Sequence, residues 1–241
     1  MKVSLIDYMG SDLTVVNAAR VSFNKESKRV KVAHYYDLSE KDQKLISYLA
    51  EHAHWSPFSH CFLQFRIEAP LFVARQLIKH QVGLAWNEVS RRYVDYEPKF
   101  YIPKMWRKRA DNIKQGSATD KVPYDIRSFM EQALKTYDNM LEDGVAPELA
   151  RMVLPQNMYT EWYWSGSLYA FARVVNQRVE DTAQKETGHI AKLISTECAS
   201  KFKHSWEALT GYSNPAPKNI SLEQMYENVE KFSKRGKPEN D

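Results

Sequence analysis

Cys61-Phe62-Leu63-Gln64-Phe65-Arg66-Ile67-Glu68 changes character at Ala69-Pro70 and runs on as Leu71-Phe72-Val73-Ala74-Arg75-Gln76-Leu77-Ile78-Lys79-His80. In the first half Cys61, Leu63, Phe65 and Ile67 alternate with Gln64, Arg66 and Glu68, a period of two that predicts a strand with one polar face. Pro70 lacks a backbone N–H and suits the first turn of a helix, which the pattern carries to about His80. Gly83 then ends it. A half-buried strand feeding straight into a helix sets the expected fold class, and the flanking sequence extends it.

Upstream, Lys2 to Tyr8 alternates well enough for a first strand. Ser11 or Asp12 can cap a helix to about Ser22, with Leu13, Val16 and Ala19 on one stripe. Residues 24–38, rich in Lys, Ser and Asp, are expected to form an exposed loop. Ser39 offers a cap for a helix over Glu40 to Ala53 whose buried face is Leu45, Ile46 and Leu49. Pro57 breaks the chain there. Downstream, a short irregular stretch is expected over Trp86 to Tyr93. The Lys-rich residues 104–121 are expected to form a mobile insertion. Asp120 is placed to start an amphipathic helix with Phe129, Met130, Leu134, Tyr137 and Leu141 on its core side. Pro147 opens a short helix containing Arg151, and another helix spans 165–176. The longest helix is expected from about Asp181 to Leu209, its stripe being Ile190, Leu193, Ile194, Cys198, Phe202 and Trp206. Strands and helices do not alternate regularly, which disfavours a doubly wound parallel sheet. The expectation is an α+β fold, several long helices packed on a small, mainly antiparallel sheet. It forms a single domain over 1–213, and 214–241 is a charged, Pro-containing extension.

A globule the size of this 241-residue chain buries roughly 70–75% of its unfolded surface and needs no covalent staple. Cys61 and Cys198 form no CxxC pair, and a reduced, cytoplasmic setting is the simplest reading. The N-terminus lacks a signal peptide's apolar core, and no run reaches the ~18–20 apolar residues of a membrane span. With 34 basic and 30 acidic residues the net charge is +4, a mild excess that suits a small anionic ligand or a weak nucleic-acid binder. His52, His54 and His60 have no metal-binding spacing and no Cys or nearby acid to complete a tetrahedral set, so no metal is expected. No GxGxxG and no phosphate-binding Walker loop is present.

The densest polar chemistry follows the helix end, in Asn87-Glu88-Val89-Ser90-Arg91-Arg92-Tyr93. Asn87 can match the edge of a heterocycle. Glu88 accepts hydrogen bonds, Ser90 adds a small hydroxyl, and Arg91 and Arg92 are planar forks suited to phosphate. A helix C-terminus followed by a basic surface loop would explain the cations equally well. The variety of donors favours a nucleotide monophosphate site.

At this point the sequence resembles the flavin-dependent thymidylate synthases. That family carries Arg-His-Arg, seven residues, then Ser within Asn-Glu-x-Ser-x-Arg-Tyr. Here the triplet reads Lys79-His80-Gln81, and the spacing to Ser90 is one residue longer. The resemblance extends over Ala18-Ala19-Arg20-Val21-Ser22-Phe23, His54-Trp55-Ser56-Pro57-Phe58-Ser59-His60 (Ser59 standing where the family has Glu), and Phe72-Val73-Ala74-Arg75-Gln76. It continues through Ala150-Arg151-Met152-Val153-Leu154-Pro155, Tyr159-Thr160, Asn176-x-Arg178 and Ala183-Gln184-x-Glu186.

The resemblance implies a transferase that methylates dUMP to dTMP. It would use FAD as cofactor, with NADPH (or NADH) and 5,10-methylenetetrahydrofolate as co-substrates. By the same resemblance Ser22, Ser56, Lys79, His80, Gln81, Asn87 and Glu88 would line the FAD site. Gln76, Glu88, Ser90, Arg91, Arg92, Arg151 and Arg178 would hold dUMP, with Arg92 and Arg151 on the phosphate and Arg178 at the uracil carbonyl. Arg178, Ser90 and Glu88 would be the catalytic residues, Ser90 orienting the nucleotide, since no base partner for a nucleophilic serine is evident. Cys61 and Cys198 sit in apolar rows and read as core residues, leaving no cysteine nucleophile. The family resemblance also implies a homotetramer with active sites shared between chains, and neither a nucleic-acid nor a membrane partner. The alternatives are a dUMP-binding relative without flavin activity and a basic nucleic-acid-binding domain.

Overall fold

The structure, a computed structural model, describes residues 1–94, 96–111 and 116–211. The expected extension 214–241, and the domain boundary before it, lie outside the described residues. Sixteen regular elements follow one another among those described: β1 (Lys2–Met9), α1 (Asp12–Arg20), β2 (Val30–Val32), β3 (Tyr35–Asp37), α2 (Glu40–Glu51), β4 (Phe62–Pro70), α3 (Leu71–Leu77), β5 (Leu84–Glu88), β6 (Trp106–Arg107), β7 (Lys121–Val122), α4 (Arg127–Glu142), α5 (Pro147–Ala150), β8 (Tyr159–Ser167), α6 (Leu168–Arg178), α7 (Lys185–Lys201) and α8 (Lys203–Thr210). The expected α+β architecture is what forms: helices packed on a four-stranded antiparallel sheet of order β1-β4-β8-β5, with two short two-stranded ribbons, β2-β3 and β6-β7.

The alternation in β4 does what its period requires. Leu63, Phe65, Ile67 and Ala69 are buried, and their partners on β8 are Gly166, Trp164, Trp162 and Thr160. Phe65 and Trp164 both meet Phe171 of α6 edge to face, at 5.0 and 5.4 Å. Ile190, Ile194 and Cys198 of α7 and Trp206 of α8 complete the main core. The other face of the sheet carries Gln64, Arg66 and Glu68 opposite Ser165, Tyr163 and Glu161.

Several expectations are corrected. The irregular stretch expected over Trp86 to Tyr93 holds only from Val89 on: Leu84–Glu88 form the edge strand β5, where Trp86 stacks on Trp162 of β8 at 4.4 Å. Residues 165–167 belong to a strand, not a helix, and α6 begins at Leu168 with the Ser167 hydroxyl accepting from Ala170 N. The single long helix from 181 to 209 is two helices. Phe202 leaves helical geometry at φ −130, ψ 59 while staying fully buried, and the Asp12 carboxylate accepts from the N–H groups of His204 (3.1 Å) and Ser205 (2.9 Å). A carboxylate from α1 thus caps the helix that restarts there. The expected loop 24–38 contains the β2-β3 ribbon. Helix α4 starts at Arg127 rather than Asp120, because residue 122 precedes Pro123 and is steered to extended geometry. Phe129 is exposed there rather than on the core side. Residues 104–121, apart from 112–115 outside the described residues, are tied down: Trp106 and Arg107 pair with Val122 and Lys121.

Candidate active site

Two helix C-termini meet beside the sheet. Helix α3 brings Gln76 in its last turn and His80 just past its end, and α6 ends on Arg178. Arg178 donates from Nε to His80 Nε2 at 2.9 Å and from Nη2 to the Gln76 carbonyl oxygen at 3.2 Å. A cation at the end of α3 complements the unpaired carbonyls of that terminus. Gly188 permits the approach: a Cβ there would stand 2.9 Å from the Arg178 carbonyl oxygen, so only glycine lets α7 pass this close.

A guanidinium can only donate, so His80 Nε2 accepts and the ring's proton resides on Nδ1. Burial, then the charges of Arg178 and Arg173, pushes the His80 pKa below its ordinary 6.5. A neutral imidazole held by an arginine is therefore the resting state of the pair.

The Gln76 side chain is held at both ends. Its Nε2 donates to Gln184 Oε1, and its Oε1 accepts from Thr187 Oγ1 at 3.1 Å. Gln184 Nε2 donates to Glu186 Oε2 at 3.2 Å.

A second group stands at the end of β5. Glu88 Oε1 accepts from Thr160 Oγ1 at 2.8 Å and Oε2 from Trp86 Nε1 at 3.2 Å, so the carboxylate is oriented by two neutral donors. Asn87, on the same edge strand, is exposed. Beyond it the Ser90 hydroxyl accepts from Arg92 N (3.3 Å) and Arg92 Nε (3.1 Å), with the Arg92 guanidinium over the Tyr93 ring at 4.9 Å. Nothing basic accepts from Ser90 among these contacts. Arg91, expected among the residues that hold the nucleotide, turns inward. It is buried, its guanidinium lying over the Tyr96 ring at 4.4 Å and donating to the Tyr96 carbonyl. It props the loop from below.

The remaining predicted residues lie apart from these two groups in direct contacts. Lys79 and Gln81 flank His80 and are exposed. Ser22 is exposed in the 3-10 turn Val21–Phe23, and Ser56 opens the 3-10 turn Ser56–His60. Arg151 is exposed after α5, with Nε donating to the Glu148 carbonyl at 3.2 Å. An open groove of about 450 Å³ lies next to Ser22, lined by Arg20, Phe23, Lys41, Lys44, Leu45 and Tyr48 among others. Both thiols are buried; burial pushes Cys61 up to about 12 and Cys198 well above its ordinary value, so neither is a nucleophile at neutral pH. Thr160, Gln184, Glu186 and Thr187 were not expected as site residues, although Thr160 and the Ala183-Gln184-x-Glu186 run sit in stretches of family resemblance. Arg107 carried no signal in the sequence.

Residues 4–202 match the family model described as thymidylate synthase complementing protein. The chain is 38% identical over 211 residues to a flavin-dependent thymidylate synthase of Thermotoga neapolitana, covering 88% of this chain and 91% of that protein. It is 37% identical over 210 residues to one of Thermus thermophilus, covering 86% and 74%. Among solved structures it is similar to the UMP/dUMP methylase PolB from Streptomyces cacaoi bound with 5-Br dUMP. That match has a TM-score of 0.74 and 30% identity, covering 90% of this chain and 97% of that one.

Proposed function

The chain belongs to the family of flavin-dependent thymidylate synthases, and from that premise we propose that it converts dUMP to dTMP with FAD, NADPH and 5,10-methylenetetrahydrofolate. The observation that carries this reading is the Arg178 junction, a cation fixed by His80 and the Gln76 carbonyl beside an oriented amide. Such a cation, set against a uracil carbonyl, favours negative charge on the ring as C5 becomes nucleophilic.

Gln76, Glu88 and Ser90 are assigned to the base and sugar, and Arg92 and Arg151, both exposed, to the phosphate, where paired guanidinium forks bind best. Arg91 contributes by holding the Ser90–Arg92 turn. Ser90 orients the nucleotide: its hydroxyl accepts from Arg92, and no base among the described residues is bonded to it. Glu88, fixed by Thr160 and Trp86, keeps an acceptor at the sheet edge where nucleotide and cofactor would meet.

Lys79 and Gln81, the exposed sequence neighbours of the half-buried His80, offer an ammonium and an amide, and the exposed Asn87 of β5 offers a second amide; Ser22, Ser56 and Glu88 are assigned with them. Cationic and amide donors fit a diphosphate and a flat ring edged with carbonyls and nitrogens, so the residues present fit FAD. When bound, the flavin would supply the hydride chemistry that no side chain here can. The exposed Phe62, Tyr163 and Met9 on the open sheet face support assembly, and a homotetramer is the proposed form.

The test is dTMP formation from dUMP labelled at C5, with FAD, NADPH and methylenetetrahydrofolate each omitted in turn. Turnover that needs all three supports the proposal. A protein that binds dUMP but never turns it over with FAD present is instead a non-flavin relative. Salt-sensitive oligonucleotide binding without dUMP binding would favour the nucleic-acid reading. UMP is to be run in parallel, because the structurally similar PolB is a UMP/dUMP methylase also seen with 5-Br UMP.

A further inference from the structure

Glu186 is buried, its side chain 7% exposed, and Arg107 of β6 grips both its oxygens at 2.8 Å. Tyr101 OH also donates to Glu186, at 3.4 Å. Arg107 is itself held on the hairpin by its Nε bond to Ser117 Oγ at 2.7 Å. The segment expected to be a mobile insertion is thus bolted to the start of α7.

A carboxylate accepts and never donates while ionised. Only the NH2 end of Gln184 can therefore face Glu186, at 3.2 Å. That turns Gln184 Oε1 toward Gln76, which must answer with its own NH2 end. Gln76 Oε1 is then left facing Thr187, whose hydroxyl donates at 3.1 Å. Amide orientation is ordinarily ambiguous, but here each one is dictated by the group before it, starting from a single buried charge. After these bonds Gln76 retains one N–H and one acceptor lone pair, with Arg178 anchored on its backbone carbonyl.

We propose that Arg107 is a positioning residue of the nucleotide site. Through Glu186 and Gln184 it sets which way the Gln76 amide faces, and so which hydrogen-bonding edge of a uracil ring the site accepts. This rests on the dUMP reading above and adds to it a support from Arg107, which reaches Glu186 across 79 residues of sequence. Thr187 is the far end of the same relay.

The test uses the full chain in four forms: wild type, Glu186→Gln, Arg107→Ala and Arg107→Lys. An amide at 186 keeps the shape but can present either polarity, so it removes the directional signal together with the ion pair to Arg107. Glu186→Gln and Arg107→Ala are expected to weaken dUMP binding on the order of tenfold while FAD affinity stays within roughly twofold, the loss of one charge-assisted bond at one subsite. Arg107→Lys, with the charge but not the fork, should recover part of the loss. Independently of any ligand, the Gln76 and Gln184 side-chain amide resonances should shift in Glu186→Gln. Unmoved Gln76 resonances, or dUMP and FAD weakening in parallel, would overturn the relay. A wild type that binds no dUMP would defeat the functional reading instead, and the resonances would still decide the relay.

Discussion

Arg178 Nε stands 2.9 Å from His80 Nε2, two residues 98 apart in sequence joined where α3 and α6 end. The donor cannot change roles, so the contact survives only while the imidazole is unprotonated at Nε2. Burial and the two arginine charges hold the folded pKa below 6.5. The folded state therefore binds fewer protons than the unfolded chain in the window just below 6.5. The contribution of this group to stability is fully present above 6.5 and is lost as pH falls through the lower folded value. In an NMR titration the His80 Cε1–H midpoint is expected below 6.5. Replacing Arg178 with Gln should raise it without restoring it fully, because burial is the larger cause. A wild-type midpoint at or above 6.5 contradicts the assignment.

Arg178 spends two donors in different directions, on His80 Nε2 and on the Gln76 carbonyl. Lysine offers a point charge without that fork. Arg178→Lys and Arg178→Ala are both expected to lower kcat/KM for dUMP by about 10²–10³-fold, the range for removing a donor aimed at developing charge. Steady-state kinetics check this, with the thermal midpoint measured alongside to show that folding is intact.

Asp42 is the buried acceptor that joins α1, the segment before β2, and α2. It takes bonds from Arg20 (2.6 Å), Ser27 (2.9 Å) and Ser39 (2.8 Å), and Ser39 in turn caps α2 through Asp42 N. Burial opposes its ionised form, but the bonds from Ser39, Arg20 and Ser27 outweigh it and lower its pKa from 3.8. Its stabilisation is present above 3.8 and fades as pH falls through the lower folded value. Asp42→Ala strands the half-buried Arg20 and should cost about 3 kcal/mol or more in urea unfolding, the usual cost of breaking a buried ion pair.

Gly166 of β8 is where β5 begins its pairing. A Cβ there would stand 2.5 Å from both the Gly83 carbonyl oxygen and Leu84 Cδ2, so Gly166→Ala must push β5 away. An overpacking cost of about 1–3 kcal/mol is expected. The Trp86–Trp162 stack should loosen, read in near-ultraviolet circular dichroism. Because β5 carries Asn87 and Glu88, ligand affinity should fall with it.

What was legible in the sequence follows from how local each signal is. The β4 strand, the α3 helix, the Ser39 cap and the Asn87–Tyr93 polar run are short-range patterns, and the structure places elements where those patterns lie. Strand β8 was invisible because Tyr163 on its open face is as aromatic as Trp162 and Trp164 on its buried face, which mutes the period of two. The break between α7 and α8 was hidden because Phe202 continues the apolar stripe straight through it. The site's couplings were out of reach for another reason. The Arg178–His80 and Arg107–Glu186 contacts join segments that no spacing rule connects. Family resemblance assigned His80 to the FAD site and Arg178 to the dUMP site without joining them, and was silent on Arg107.

Arg178 and His80 are proposed to stand between the flavin and dUMP. The most direct measurement is the visible absorption spectrum of the purified protein after FAD is added and excess removed, then titrated with dUMP, for wild type and Arg178→Ala. Wild type is expected to retain flavin bands that dUMP perturbs, and the variant to retain bands that dUMP no longer perturbs at the same concentrations. Flavin that washes away from the wild type, or an equal dUMP response in both proteins, would contradict that placement.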